Sequence, residues 1–199
     1  MIEWMQTNRL LLLFVAEFCG QFCWLMCVRK QFRMSIAATA GISLLNLLIA
    51  FPAMKLLAIL EVGGDLSRAA NMRLFGAVYI SPIHYYVLAK LTKRPVKPAM
   101  DACAVGIAVA LGIARLDCMF TGCCDGVPIP GMGTLRWPLR EVELLYYMLF
   151  VACFAKKMCE QKTYGQLYPL FMMTYGAARF LMEWVREEYT TQIGNRAAP

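Results

Sequence analysis

Apolar residues run through this chain in six long blocks, separated by short stretches where lysine, arginine, glycine and proline gather. The blocks cover residues 10–28, 35–60, 74–91, 99–120, 141–155 and 165–186. Each lies near the roughly 20 residues that an α-helix needs to cross the hydrocarbon of a bilayer. The pattern therefore predicts about six membrane-spanning helices. The second block is long enough to tilt or to end in a bend at Pro52, and the short fifth rests on its tyrosines and the apolar run through Phe154.

Composition supports this reading. Of 199 residues, 60% are hydrophobic and 17% charged, against about a quarter charged in soluble domains. Such a chain cannot bury its apolar surface in one water-soluble core. The expected fold class is all-α, a polytopic transmembrane helix bundle in which residues 1–199 form a single integral membrane domain. The formal net charge of +7 does not point to nucleic acid, because the basic residues sit in short loops between apolar blocks. No small-residue cleavage site follows the first block; Arg29, Lys30 and Arg33 do, so that block is expected to remain as a span rather than be removed as a signal peptide. Every lysine except Lys55 falls in or at the edge of the alternate loops that follow the first, third and fifth blocks, whereas the arginines of residues 63–73 and 117–140 are balanced by acids. The positive-inside rule then places the N-terminus and C-terminus outside.

Polar residues within the apolar blocks are expensive at that depth and mark candidate function. Glu17 and Gln21 are four apart and share a helix face, as do Arg179 and Glu183, with Arg186 one turn further. Glu17, Arg115, Glu143, Arg179 and Glu183 all fall in the outer half of the bilayer and are expected to converge on a polar cavity open to the outer leaflet. Asn46 lies in the second block and His84, the only histidine, in the third. Blander readings stand beside these: an intrahelical ion pair for Arg179 and Glu183, a hydrogen-bonded packing residue for His84, and helix packing for the methionines of the sixth block and for the stripe Cys19, Cys23 and Cys27. Trp137 and Trp184 read as interface anchors. The nine cysteines include Cys118, Cys123 and Cys124 near the outer side, where a bridge from Cys118 to either neighbour is sterically easier than one between adjacent residues. No zinc-type spacing of cysteine and histidine occurs, so no metal and no cofactor are expected.

Three stretches, in order, carry a resemblance. Ala114-Arg115-Leu116-Asp117-Cys118-Met119-Phe120-Thr121-Gly122-Cys123-Cys124-Asp125-Gly126 resembles the signature of the bacterial prolipoprotein diacylglyceryl transferases, and more closely that of short, divergent relatives with Gly-Cys-Cys-x-Gly. Tyr175-Gly176-Ala177-Ala178-Arg179-Phe180-Leu181-Met182-Glu183-Trp184-Val185-Arg186 is similar to the family's Tyr-Gly-x-x-Arg-Phe-x-x-Glu-x-x-Arg. A weaker likeness sets Pro138 and Glu143 on the family's Pro-Ser-Gln-Leu-Tyr-Glu.

The resemblance implies a multi-pass enzyme of the bacterial plasma membrane, its active site towards the outer face. It would move a diacylglyceryl or related group from an anionic, phosphatidylglycerol-like phospholipid to an acceptor such as the thiol of a lipoprotein. Arg115 and Arg179 would bind phosphate and stabilise the leaving group. Glu183 would orient Arg179 or position the thiol, Gly122 and Gly126 would let the backbone approach the headgroup, and Glu143, Arg186, Glu17 and Tyr175 would contact substrate. Cys118, Cys123 and His84 complete the catalytic candidates. The chain departs from the family pattern where Cys118 replaces asparagine, Cys123 replaces glutamate and Asp117 replaces glycine; the family's third-span histidine falls on Phe75, and its first-span tyrosine has no counterpart. Residues 191–195 resemble the lead into a last family helix. Two other classes fit the same residues: a non-enzymatic lipid-binding protein or small transporter on the same scaffold, and a membrane thiol oxidoreductase using Cys118, Cys123 and Cys124.

Overall fold

The computed structural model describes residues 8–61, 74–122, 126–132, 134–160, 162 and 165–186. Among them lie six α-helices: α1 (Arg9–Val28), α2 (Ile36–Glu61), α3 (Phe75–Leu91), α4 (Val96–Thr121), α5 (Leu139–Cys159) and α6 (Leu167–Glu183). No strand forms among the described residues beyond two isolated bridges. The protein is an all-α bundle of membrane type. Helices α1, α2 and α4 are each long and apolar enough to cross a membrane. The six expected blocks appear as six helices of unequal reach. With 17 residues each, α3 and α6 extend about 25 Å at 1.5 Å per residue, a little short of the roughly 30 Å hydrocarbon.

Helix α2 continues through Pro52 to Glu61, so the proline does not end it. In an apolar setting the backbone has no water to turn to, and a helix that loses one hydrogen bond at proline still satisfies the rest. The stripe Cys19, Cys23 and Cys27 is exposed on α1; it points outward instead of packing between helices. Met173 is likewise exposed at 74%, as are Trp137 and Trp184.

Helix α4 is the axis of the bundle and packs against α1, α3, α5 and α6. Its run Asp101, Ala102, Cys103, Ala104, Val105, Gly106, Ile107 and Ala108 is buried on all sides. Small side chains there let neighbouring backbones come close. The same device joins α2 to α3, where a Cβ added to Gly76 would meet Ala53 O at 2.3 Å. Specific polar contacts then lock the register. On α1, Trp24 Nε1 donates to Ala102 O at 2.9 Å and Gln21 Nε2 to Gly106 O at 2.8 Å.

Asp101 holds the start of α6. Its fully buried carboxylate accepts from the backbone N–H of Gly165 at 2.6 Å, Leu167 at 2.9 Å and Tyr168 at 3.2 Å. These are the donors that a helix leaves unmet at its N-terminus, where the helix dipole also favours negative charge. One residue of α4 thus caps another helix, and so sets the height at which α6 ends.

Antiparallel packing divides the bundle into two ends. At one end α1, α3 and α5 begin and α2, α4 and α6 finish; the loops rich in lysine lie at the other. Residues 126–132 and 134–137 fold back over the first end. Val127 N donates to Val185 O at 2.8 Å and Trp137 N to Val127 O at 3.1 Å, which ties the chain beyond α6 to the start of α5.

Candidate active site

Glu143 stands in the second turn of α5 and is 2% exposed. A bare carboxylate at such depth would be strongly disfavoured. Here guanidinium groups meet it from three segments. Arg115 Nε, on α4, pairs with Glu143 Oε2. Arg179 Nη1, on α6, and Arg186 Nη2, just beyond α6, each lie 2.8 Å from Glu143 Oε1. Glu183 Oε2 is 3.4 Å from both Arg179 Nη2 and Arg186 Nε. Among the described residues, Glu143 and Glu183 are thus shared by three guanidiniums in this cluster. Buried ion groups hold together when each charge has such partners.

Local structure explains the convergence. Arg179 and Glu183 are one turn apart on α6, and the backbone bridge between Gly126 and Arg186 carries Arg186 back under α5. The Arg179 guanidinium also lies over the Phe75 ring, 5.1 Å from its centroid, a favourable place for a cation. Phe75 occupies the position where the sequence comparison put the family's histidine.

The cluster forms one end of a cavity of about 750 Å³. Arg115, Arg179, Arg186, Glu183, Cys118 and Tyr175 line that end. Cys118 Sγ is 3.8 Å from Arg115 Nη1. Arg9 and Asp117, paired at 2.6 Å, stand at the rim. Glu17, Gln21, Asn46, Ser81 and Tyr85 line the deeper part. Between α3 and α6 a second cavity of about 350 Å³ shares Phe75, Val78, Tyr175, Arg179 and Glu183 with the first. Its other walls include Tyr79, Met172 and Phe180, so Arg179 is reached from this side past apolar side chains.

The expected site residues fall into three groups. Arg115, Arg179, Arg186 and Glu183 come together as one cluster, and Cys118 and Tyr175 share its cavity. Glu17 lines the same cavity away from the ion cluster. The third group stands elsewhere. Glu143 is not among the residues lining the cavity; it lies behind the arginines and holds them. His84 does not line the cavity either; it is on α3 with its ring edge-on to Tyr85 at 5.4 Å. Gly122 ends α4 with φ 66°, and Gly126 sits where a Cβ would meet Trp137 O at 2.7 Å. Both glycines thus have a reason in the chain's own backbone geometry. Cys123 lies outside the described residues, as does any pairing of Cys118 with Cys123 or Cys124.

The family model described as prolipoprotein diacylglyceryl transferase matches residues 22–198. The chain belongs to the prolipoprotein diacylglyceryl transferase family. It is similar to the phosphatidylglycerol–prolipoprotein diacylglyceryl transferase of Tropheryma whipplei (strain TW08/27), 29% identical over 135 residues, covering 56% of this chain and 48% of that protein. The protein of the same name from Clostridium tetani is 24% identical over 132 residues, covering 57% and 51%. The phosphatidylglycerol–prolipoprotein diacylglyceryl transferase 2 of Clostridium perfringens is 22% identical over 137 residues, covering 61% and 52%. The chain thus spans about half the length of the curated relatives it matches. No solved structure matches it. Two features of this family member escaped the sequence pattern: Arg9 pairing with Asp117, and Asn46 joining Glu17 in the cavity wall. Intramembrane polarity flagged Asn46, but nothing in the sequence set its depth against Glu17.

Proposed function

We infer that this protein is a phospholipid-dependent membrane transferase, which moves a diacylglyceryl or related lipid group from an anionic phospholipid to an acceptor such as a thiol. The observation that carries the reading is the meeting of Arg115 and Arg179, from two helices, on one buried carboxylate at the wall of a lipid-sized cavity. Family membership supports it. Guanidinium binds phosphate through parallel N–H donors and stays charged in an apolar cavity. Arg115, Arg179 and Arg186 all line the cavity, where a phosphate would meet them. The side opening between α3 and α6 suits a donor that arrives from the lipid phase.

In this reading the acceptor sulfur bonds to the glyceryl carbon that bears the phosphate, the carbon–oxygen bond breaks, and the thiol proton passes to the departing glycerol phosphate. Arg115 and Arg179 stabilise the charge that gathers on that leaving group. Glu183 keeps Arg179 and Arg186 oriented. The protein sits in the bacterial plasma membrane with this site towards the outer face, a placement supported by the lysine-rich loops at the opposite end.

The test is transfer of lipid from phosphatidylglycerol vesicles to a cysteine-containing lipoprotein peptide, followed by mass. Arg115→Ala and Arg179→Ala are each expected to lower turnover by about 100-fold or more, the scale for loss of a charge-stabilising group. Full activity in either variant removes the phosphate role.

A further inference from the structure

The cavity contains a second polar zone that the transfer reaction leaves unused. Arg9 on α1 stands level with Asp117 on α4. Counting along both helices at 1.5 Å per residue puts Glu17 about 9 Å deeper than Arg115. Asn46 reaches nearly the same depth, because Phe14 and Phe51 meet at 5.8 Å and fix α2 beside α1. These residues face one space from separate helices.

What they offer that space is acceptors. Glu17 is 7% exposed, lines the cavity, and has a buried Oε2 without a hydrogen-bond partner among the described residues. Asn46 donates one amide N–H to Tyr85 OH at 2.9 Å, and its buried Oδ1 has no hydrogen-bond partner among the described residues. Gln21 already donates to Gly106 O. Buried acceptors left unmet are costly, a carboxylate most of all. The deep zone therefore calls for a ligand that brings donors, just as the arginines call for one that brings negative charge. Helical side chains lean towards the N-terminus of their own helix. Since α1 and α4 run antiparallel, Glu17 leans towards the arginines and Arg115 leans towards Glu17, which shortens the span between them.

We propose that Glu17 and Asn46 form a headgroup subsite, accepting hydrogen bonds from the ammonium or hydroxyl end of a phospholipid headgroup whose phosphate rests on Arg115 and Arg179. The subsite rests on the phosphate role assigned above. It selects lipids by the donors beyond the phosphate.

Native mass spectrometry of the full chain in detergent, titrated with defined lipids, tests it. Phosphatidylethanolamine and phosphatidylglycerol carry such donors; phosphatidylcholine has the same charges as phosphatidylethanolamine but no N–H. At least one donor-bearing lipid is expected to bind roughly tenfold tighter than phosphatidylcholine, the scale of one hydrogen bond to a charged group. Glu17→Leu should abolish that preference while phosphatidylcholine binding persists, which shows that the variant is folded. Glu17→Gln separates the sources: it weakens an ammonium lipid and spares a hydroxyl lipid. Equal binding of all three lipids by the unaltered protein overturns the subsite, with no variant needed. So does a preference that survives Glu17→Leu, since that marks simple exclusion of the bulky choline. Arg179→Ala should weaken all lipids alike; if it does not while the Glu17 preference remains, the phosphate role fails and the donor preference stands alone.

Discussion

Glu143 is the residue on which the site depends, because it turns three repelling guanidiniums into a fixed array. Replacing it with glutamine keeps the shape and removes the charge. Three closely spaced cations would then lose the buried charge they share, and Glu183, 40% exposed at its side chain, is a weaker partner. Breaking a buried ion group from one side costs about 3–5 kcal/mol. Glu143→Gln is therefore expected to lower the unfolding temperature in detergent well beyond the change from Glu183→Gln, and equal shifts would deny Glu143 its central place. Cys118 invites a different experiment. Its thiol lies against Arg115, so if it carries lipid transiently, intact-protein mass after incubation with phospholipid should show an adduct that Cys118→Ser lacks. Absence of any adduct limits Cys118 to lining the cavity. Sequence reasoning named Glu143 as a substrate contact, since a carboxylate in an apolar span reads as functional. Only the structure showed it buried and paired with Arg115, Arg179 and Arg186.

Helix α6 carries both Arg179 and Glu183, and its position is set by a residue of another helix. Asp101 takes three backbone N–H groups at its start. Asp101→Ala leaves these donors unmet and is expected to cost about 2 kcal/mol, whereas Asp101→Asn, which keeps an acceptor, costs less. Hydrogen exchange should show the loss first at Gly165, Leu167 and Tyr168; unchanged protection there would mean that the cap is dispensable. Helix limits themselves were legible from the apolar blocks, because length and hydrophobicity are local properties. The cap was not. Asp101 lies 66 residues from Leu167, and a single aspartate near the start of an apolar block looks like any interfacial acid.

At the scale of the whole molecule, charge and site lie at opposite ends of the bundle. The exposed leucines and aromatics around its sides, such as Leu48, Leu56, Ile83 and Phe180, suit a lipid surround. An amine reagent that cannot cross membranes is expected to modify Lys93, Lys156 and Lys162 in inverted vesicles and to spare them in intact cells. Labelling from the cell exterior would reverse the orientation and turn the site towards the cytoplasm.

The sequence by itself determined the helical blocks, the membrane class, the family and the two motif arginines, Arg115 and Arg179. Those follow from hydrophobicity summed over about 20 residues and from motifs written in consecutive positions, neither of which needs a partner. The tertiary structure decided the rest. Glu143 became a holder of arginines, His84 fell outside the cavity, and Gly126 was claimed by Trp137. Each of these turns on which helices are neighbours and at what height they meet. That register is set by contacts between residues far apart in the chain, such as Gln21 with Gly106 and Asp101 with Leu167, and no local pattern encodes it.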